Sequence, residues 1–264
     1  MNLVVLDSFI DVLTNPRHDA ERVTQARLGE NLKETKKHGV FSLVECEDGY
    51  VGWIRRKGIM RSGSRSYGQQ GEVVVFDDPF TPISSSLARF QPFLVAPMGS
   101  RLSLAGEKKG KKVLALPDGG IGYTTFGITR QAADPFPRKG CQDVIETALS
   151  LQGVPYLWGG TTPWGLDCSG FSQLVFGMNG YRLKRDAHMQ YDTAGFLVDF
   201  ARILPGDLLF FKQPSERRVG HVALFIECKQ IVHASGTEGK VLVQSLDSLK
   251  PLLVGAKRIC AEVK

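Results

Sequence analysis

The stretch "GLDCSGFSQLVFGM", Gly165 to Met178, sets a cysteine directly after an aspartate and ahead of apolar residues that recur at helical spacing. A thiol reacts as its thiolate. The start of a helix favours that anion, because unpaired backbone N–H groups and the helix dipole both attract negative charge. Asp167 suits the N-cap position, which puts Cys168 in the first turn and makes it a candidate nucleophile. The plainer alternative is a small buried hydrophobe that fills space.

A cysteine nucleophile needs a base, and the base needs a third group to orient it. The histidines are His18, His38, His188, His221 and His233; His221 opens "HVALFIE" and His233 stands near the end of "QIVHAS". A three-residue loop, Glu227 to Lys229, pairs Ile226 with Gln230 and sets Ala223 opposite His233. His221 then lies on the same face at a diagonal distance of ~7–8 Å. A two-residue loop sets Leu224 opposite His233 and puts the histidines on opposite faces.

The surroundings of these residues predict an α+β domain. "CQDVIETALSLQG" carries Val144, Ile145, Ala148, Leu149 and Leu151 on one helical face and ends at Gly153. The helix of Cys168 follows, and then the strand-like runs "GDLLFF", "GHVALFIE", "QIVHAS", "KVLVQSL" and "GAKRICAEV". Upstream, residues 130–140 hold two prolines and mixed charges and mark a linker.

The N-terminal half reads as short β-runs. From Val23 to about Met60 they flank Asp48-Gly49, a hairpin signal. Residues 61–72, rich in Gly and Ser, mark a linker or long loop. From Val73 to about Thr129 the style repeats, and "LPDGGIGYTT" echoes "CEDGYVGWIR". The echo predicts two copies of one small β-module.

Composition narrows the class. With 264 residues, 42% hydrophobic and 23% charged, the chain is that of an ordinary globular protein with room for one large domain or two to three small ones. No stretch has the ~18 consecutive apolar residues of a membrane span. The start, Met1 to Asp7, does not read as a secretory signal, so a cytoplasmic setting is expected. Five widely spaced cysteines without a C-x-x-C pair suggest neither a disulfide framework nor a zinc site, and reduced thiols are expected. The net charge of +6 permits an acidic partner. Yet Lys108-Lys109-Gly110-Lys111-Lys112 reads as a solvated hairpin turn, and it lacks the interleaved aromatics of a single-stranded nucleic-acid groove. Neither a nucleic-acid nor a membrane partner is expected. The glycines around Trp158 and Trp164 fit no phosphate-loop pattern and no metal-ligand spacing appears, so no cofactor and no metal are predicted.

"YLWGGTTPWGLDCSGF", "GHVALF" and "IVHAS" together resemble the three signature segments of the NlpC/P60 cysteine peptidases, papain-like enzymes that cut peptides of the bacterial cell wall. The match covers about Cys141 to Lys264. The resemblance implies that Cys168 is the nucleophile, His221 the general base and His233 its orienting partner, with the Cys168 N–H in the oxyanion hole. "DGYVGWI" and "LPDGGIGYT" resemble bacterial SH3 (SH3b) modules. The expected architecture is therefore two small SH3b-like β-barrels, residues 1–65 and 66–133, followed by an α+β papain-like NlpC/P60 domain over 138–264.

The resemblance further implies wall-peptide recycling, by cleavage after γ-D-glutamate in peptidoglycan-derived peptides with a free N-terminal L-alanine and a following diaminopimelate or lysine. A free ammonium calls for acids and an aromatic hydroxyl at the closed end of a cleft. Asp186 in "RDAHMQ", Asp167 and Ser169 beside the nucleophile, Tyr50 in "EDGYVGW", Glu30 in "QARLGENL" and Trp158 are the expected substrate-binding residues. Their plainer roles are an N-cap for Asp167, a solvated loop acid for Asp186, barrel packing for Tyr50 and a turn charge for Glu30. Ala187, where many relatives have serine, and Lys184, in place of a common proline, depart from the pattern. The rival readings are an amidase or acyltransferase of the same superfamily, and a non-catalytic wall-peptide binding protein. Oligomeric state stays open.

Overall fold

The computed structural model describes residues 1–63 and 66–260. The chain forms two compact units, Met1–Phe136 and Pro137–Lys264. In the first, β1 (Asn2–Val5), β2 (Phe9–Leu13), β3 (Arg22–Arg27), β4 (Asn31–His38), β5 (Phe41–Glu45), β6 (Val51–Arg55) and β7 (Ile59–Arg61) build an antiparallel sheet in the order β3-β2-β6-β5-β4-β1-β7. Next come β8 (Glu72–Val75), β9 (Phe80–Ser84), β10 (Pro92–Pro97), β11 (Arg101–Lys108), β12 (Lys111–Ala115), β13 (Ile121–Thr124) and β14 (Ile128–Gln131), in the order β10-β9-β13-β12-β11-β8-β14. The second order is the first with seven added to every strand, so the sequence echo marks a structural repeat.

The local chemistry of the echo explains the repeat. In both copies an aspartate opens the turn: Asp48 accepts from the Tyr50 N–H (2.9 Å) and Asp118 from the Gly120 N–H (2.8 Å). Gly49 and Gly119 then take φ of 84° and 85°, a conformation that a side chain would strain. Alternating apolar residues face one core per sheet, with Leu3, Val12, Val44 and Ile54 in the first and Val74, Ile83, Leu102 and Leu114 in the second. Leu28, from the turn before β4, packs into the second core, where a buried leucine contributes about 1.5–3 kcal/mol.

Three expectations change here. Among the described residues the sheets are open, because β3 and β7, and likewise β10 and β14, end their sheets without pairing to each other, so the expected barrels do not close. The first sheet begins at Asn2, inside the expected 1–65 but ahead of the β-runs read from Val23, because the apolar run of Leu3 to Val5 forms a strand between β4 and β7. The segment 61–72 is more than a linker. Tyr67 within it accepts from the Ser103 N–H (2.9 Å), donates to the Ala115 carbonyl (2.5 Å) and receives the Asn31 side chain, stitching the two sheets together.

The second unit contains α1 (Cys141–Ser150), β15 (Thr161–Thr162), β16 (Gly165–Leu166), α2 (Cys168–Met178), α3 (Ala187–Thr193), β17 (Phe196–Val198), β18 (Leu208–Phe211), β19 (His221–Phe225), β20 (Gln230–Ser235), β21 (Lys240–Ser245) and β22 (Leu253–Arg258). The strands from β17 on form an antiparallel sheet, β17-β22-β18-β19-β20-β21, and α2 packs on β19 and β20. α2 is apolar almost all round, with Phe171, Leu174, Val175 and Phe176 buried, as suits a helix enclosed in the core.

Cys141 and Cys260 are joined in a disulfide, contrary to the expectation of unpaired thiols. The bond ties the first residue of α1 to the end of the described chain across 119 residues, a separation at which spacing carries no pairing signal. Cys46, Cys168 and Cys228 are free.

Candidate active site

Asp167 caps α2: its side chain accepts from the Gly170 N–H at 2.7 Å. The same carboxylate accepts from the Gly159 N–H (2.9 Å) and the Ser169 hydroxyl (3.3 Å), and it receives both guanidinium nitrogens of Arg185 (3.0 and 2.6 Å). Arg185, only 2% exposed, also donates to the Ser169 hydroxyl. Burial works against the Arg185 charge, yet Asp167 outweighs it and holds the pKa up. Breaking such a buried pair by removing one partner costs about 3–5 kcal/mol. Gln190, fully buried on α3, completes the frame by donating to the Ser169 and Lys184 carbonyls and accepting from Ser172. These bonds fix the first turn of α2, and with it the position of the thiol.

Glycines bring a second backbone against that turn. A Cβ on Gly170 would overlap the Gly160 carbonyl, and one on Gly160 would overlap that of Gly165, so the "WGG" turn rests directly on α2. Trp158, 61% exposed, projects from this turn.

Cys168 is buried, and its Sγ lies 3.8 Å from the Gly220 carbonyl, at the start of β19. Burial first, and the Asp167 charge second, push the thiol up to about 12, outweighing backbone N–H groups of Val222 and Ser169 that favour the anion. The helix start therefore does not yield a resting thiolate. Burial, followed by the neighbouring His233, lowers His221 to about 3. The resting site thus pairs a neutral thiol with a neutral imidazole.

The β19–β20 turn has the three-residue form: the Ile226 N–H donates to the Gln230 carbonyl, and Leu224 pairs with Val232. Cys228 and Lys229 close it with φ of 47° and 60°. In this register Ala223 falls opposite His233, and His221 Nε2 meets His233 Nδ1 at 2.7 Å, with the rings at 81°. That contact leaves His221 Nδ1 to exchange a proton.

The other expected residues are distributed as follows. Asp167 and Ser169 belong to the frame under the thiol. Asp186, half-buried, stands at the N-cap of α3 without capping it through its side chain. Tyr50 and Glu30 lie in the N-terminal unit. Tyr50 packs against the first core, and Glu30 accepts from the Arg27 N–H (3.1 Å). Burial, then the neighbouring Glu47, raises Glu30 to about 7. Sequence reasoning missed Tyr156, whose hydroxyl pKa is raised by burial and by its closeness to Cys168 and Asp167. It also missed Arg185 and Gln190. Tyr156 opens the first signature segment and Arg185 and Gln190 bound "RDAHMQ", but only the folded geometry separates them from ordinary polar residues. Among the described residues, no three His, Cys, Asp or Glu gather as a metal site.

Comparison with known proteins agrees with this geometry. Residues 153–256 match the NlpC/P60 family, and residues 12–59 match the bacterial dipeptidyl-peptidase SH3 domain. The chain is 26% identical to a γ-D-glutamyl-L-lysine dipeptidyl-peptidase of Bacillus cereus, covering 85% of this chain and 71% of that protein. It is 35% identical to the protein of the same name from Bacillus subtilis, over 52% of this chain and 47% of that one. Dipeptidyl-peptidase 6 of Lysinibacillus sphaericus is 40% identical over 42% of this chain, which spans 38% of it. The chain thus spans less than half of the latter two relatives. The crystal structure of an NlpC/P60 family protein from Bacillus cereus superposes with a TM-score of 0.90, covering 99% of this chain and 100% of that one, and at 22% identity it speaks for the fold. The chain belongs to the NlpC/P60 cysteine peptidase family, carries an N-terminal bacterial SH3 domain, and is related to the γ-D-glutamyl-L-lysine dipeptidyl-peptidases.

Proposed function

We propose that this protein hydrolyses the amide bond between γ-D-glutamate and a diamino acid, diaminopimelate or lysine, in peptidoglycan-derived peptides that begin with a free L-alanine. The observation that carries the reading is the buried Cys168 at the start of α2, set against the start of β19, whose first residue His221 is bonded to His233 of β20. The names of the relatives supply the substrate class.

The resting thiol is neutral, so attack and proton transfer are coupled. Sγ bonds to the scissile carbonyl carbon as His221 takes the thiol proton, and backbone donors at the helix start, the Cys168 N–H among them, receive the oxyanion. Collapse of the tetrahedral adduct gives a thioester. The leaving amine takes the proton from His221, and water then releases the acid and restores the thiol. Asp186 supplies the carboxylate for the substrate ammonium, and Tyr50, Glu30 and Trp158 are the further substrate-binding residues of this reading. A cytoplasmic recycling role belongs to this reading. The redox state of Cys141–Cys260 in cells bears on it, since a reducing cytosol keeps most thiols unpaired.

The test is incubation with L-Ala-γ-D-Glu-diaminopimelate and with its N-acetylated form, read by mass spectrometry, with Cys168→Ala alongside. Release of L-Ala-D-Glu from the free-amine peptide alone, abolished in the variant, is the expected result. Intact peptides together with rapid Cys168 alkylation would move the assignment to an amidase or acyltransferase. Peptide binding without turnover would point to a binding protein.

A further inference from the structure

His233 is 2% exposed, and its Nε2 is buried without a hydrogen bond among the described residues. Its other nitrogen, Nδ1, lies 2.7 Å from His221 Nε2, so between two neutral rings one nitrogen donates and the other accepts. The direction decides the chemistry. If His221 donates from Nε2, its Nδ1 carries a lone pair and can take a proton, while His233 must keep its own proton on the buried Nε2. If His233 donates from Nδ1, then the His221 proton sits on Nδ1 and the base is lost. What faces His233 Nε2 selects between these states.

Gln244 lies on that side. β20 and β21 pair His233 with Leu242, so Gln244, two residues on, shares the face of His233 at the diagonal position, within reach of a long side chain. Its amide orientation is fixed by a chain of bonds. The Ser248 hydroxyl donates to the Ser245 carbonyl (2.6 Å), so its oxygen is left to accept, and it accepts from Gln244 Nε2 at 3.0 Å. The carbonyl end of the amide, Oε1, is therefore the end left for the ring. Among charged groups, Glu238 also acts on His233, and both it and Gln244 favour the protonated ring against the effect of burial.

From this arrangement we infer that Gln244, held by Ser248, is a positioning residue that accepts from His233 Nε2–H and so keeps His221 in the tautomer that can act as base. The inference rests on the proposed roles of Cys168 and His221. It extends the catalytic line to a fourth member on β21.

The test compares Gln244→Leu and Gln244→Glu with the wild type in three measurements: ring-nitrogen NMR of the histidine tautomers without substrate, the pH dependence of Cys168 alkylation, and kcat and KM on the peptide. Expected for Gln244→Leu are loss of the Nε2–H signal of His233, and kcat lowered ~10-fold with little change in KM, a part of the ~10²–10⁴ that general base catalysis supplies. Gln244→Glu, which keeps an acceptor, should restore the Nε2–H tautomer and shift the acid limb of alkylation to higher pH. A Gln244→Leu protein with wild-type tautomer and alkylation profile overturns the inference, as does an equal kcat loss in both variants. The NMR and alkylation arms need no peptide, so a wrong substrate assignment would leave them readable.

Discussion

The two β-modules share a backbone and differ in what they carry on it. After β3 the first reads Leu28-Gly29-Glu30-Asn31, and after β10 the second reads Met98-Gly99-Ser100-Arg101. The hydrogen bonds correspond: Val5 N–H to the Glu30 carbonyl and Gly29 N–H to that of Val5, against Phe76 to Ser100 and Gly99 to Phe76. At the turn between β5 and β6, and between β12 and β13, Tyr50 in the first copy corresponds to Gly120 in the second. The acid and the phenol proposed to meet substrate therefore occur in one copy only, and it is this copy that matches the dipeptidyl-peptidase SH3 domain. Strand order and turn aspartates persist because the fold needs them, while side chains at the turn tips were free to diverge.

The equivalence of the frames is tested most severely at Gly52 and Gly122. A Cβ at either would overlap a β-branched side chain of the neighbouring strand, Val12 or Ile83. Gly52→Val and Gly122→Val should each destabilise their module by about 1–3 kcal/mol in denaturant titrations. A loss confined to one site would break the equivalence.

The difference in function is tested by Tyr50→Ala, expected to raise KM for the free-amine peptide about tenfold, a loss of ~1.4 kcal/mol. Gly120→Ala should leave KM unchanged. Equal effects would remove the proposed division of labour.

The smallest effects belong to Glu30 and Ser100. The Glu30 carboxyl titrates near 4.5 in the unfolded chain and near 7 in the folded one, so the fold holds a proton that the unfolded chain releases. Stability is fully present below the lower value and falls as pH rises through the upper one. Glu30→Gln should flatten this decline between pH 5 and 8. Ser100, whose buried hydroxyl makes no hydrogen bond among the described residues, carries no such slope, and Ser100→Ala should change stability by no more than about 1 kcal/mol, toward stabilisation, at every pH.

Local features were legible in the sequence. The Asp167 cap and the turns at Asp48 and Asp118 each depend on a few neighbouring residues, whereas the register joining His221 to His233 was one of two loop lengths that the sequence left open. Properties set by the assembled core were not. The elevated Cys168 pKa comes from burial, which no helix-start rule contains. Gln244 reads as one polar residue in "KVLVQSL" until β21 is laid beside β20. Arg185 and Asp167 are 18 residues apart, and nothing in their spacing shows that they share a buried bidentate contact.

The Cys141–Cys260 bond gives the catalytic unit the topology of a ring. A single cut in any connection between those residues, for example beside Arg217 and Arg218 on the segment leading to His221, would open the ring without shedding a piece. Both fragments would travel together until a reductant parted them. The same closure limits how far the unfolded chain can spread, an entropic restraint worth roughly 4–5 kcal/mol for a loop of about a hundred residues. Much of the persistence of the peptidase unit would then come from the conformations that its unfolded chain is denied.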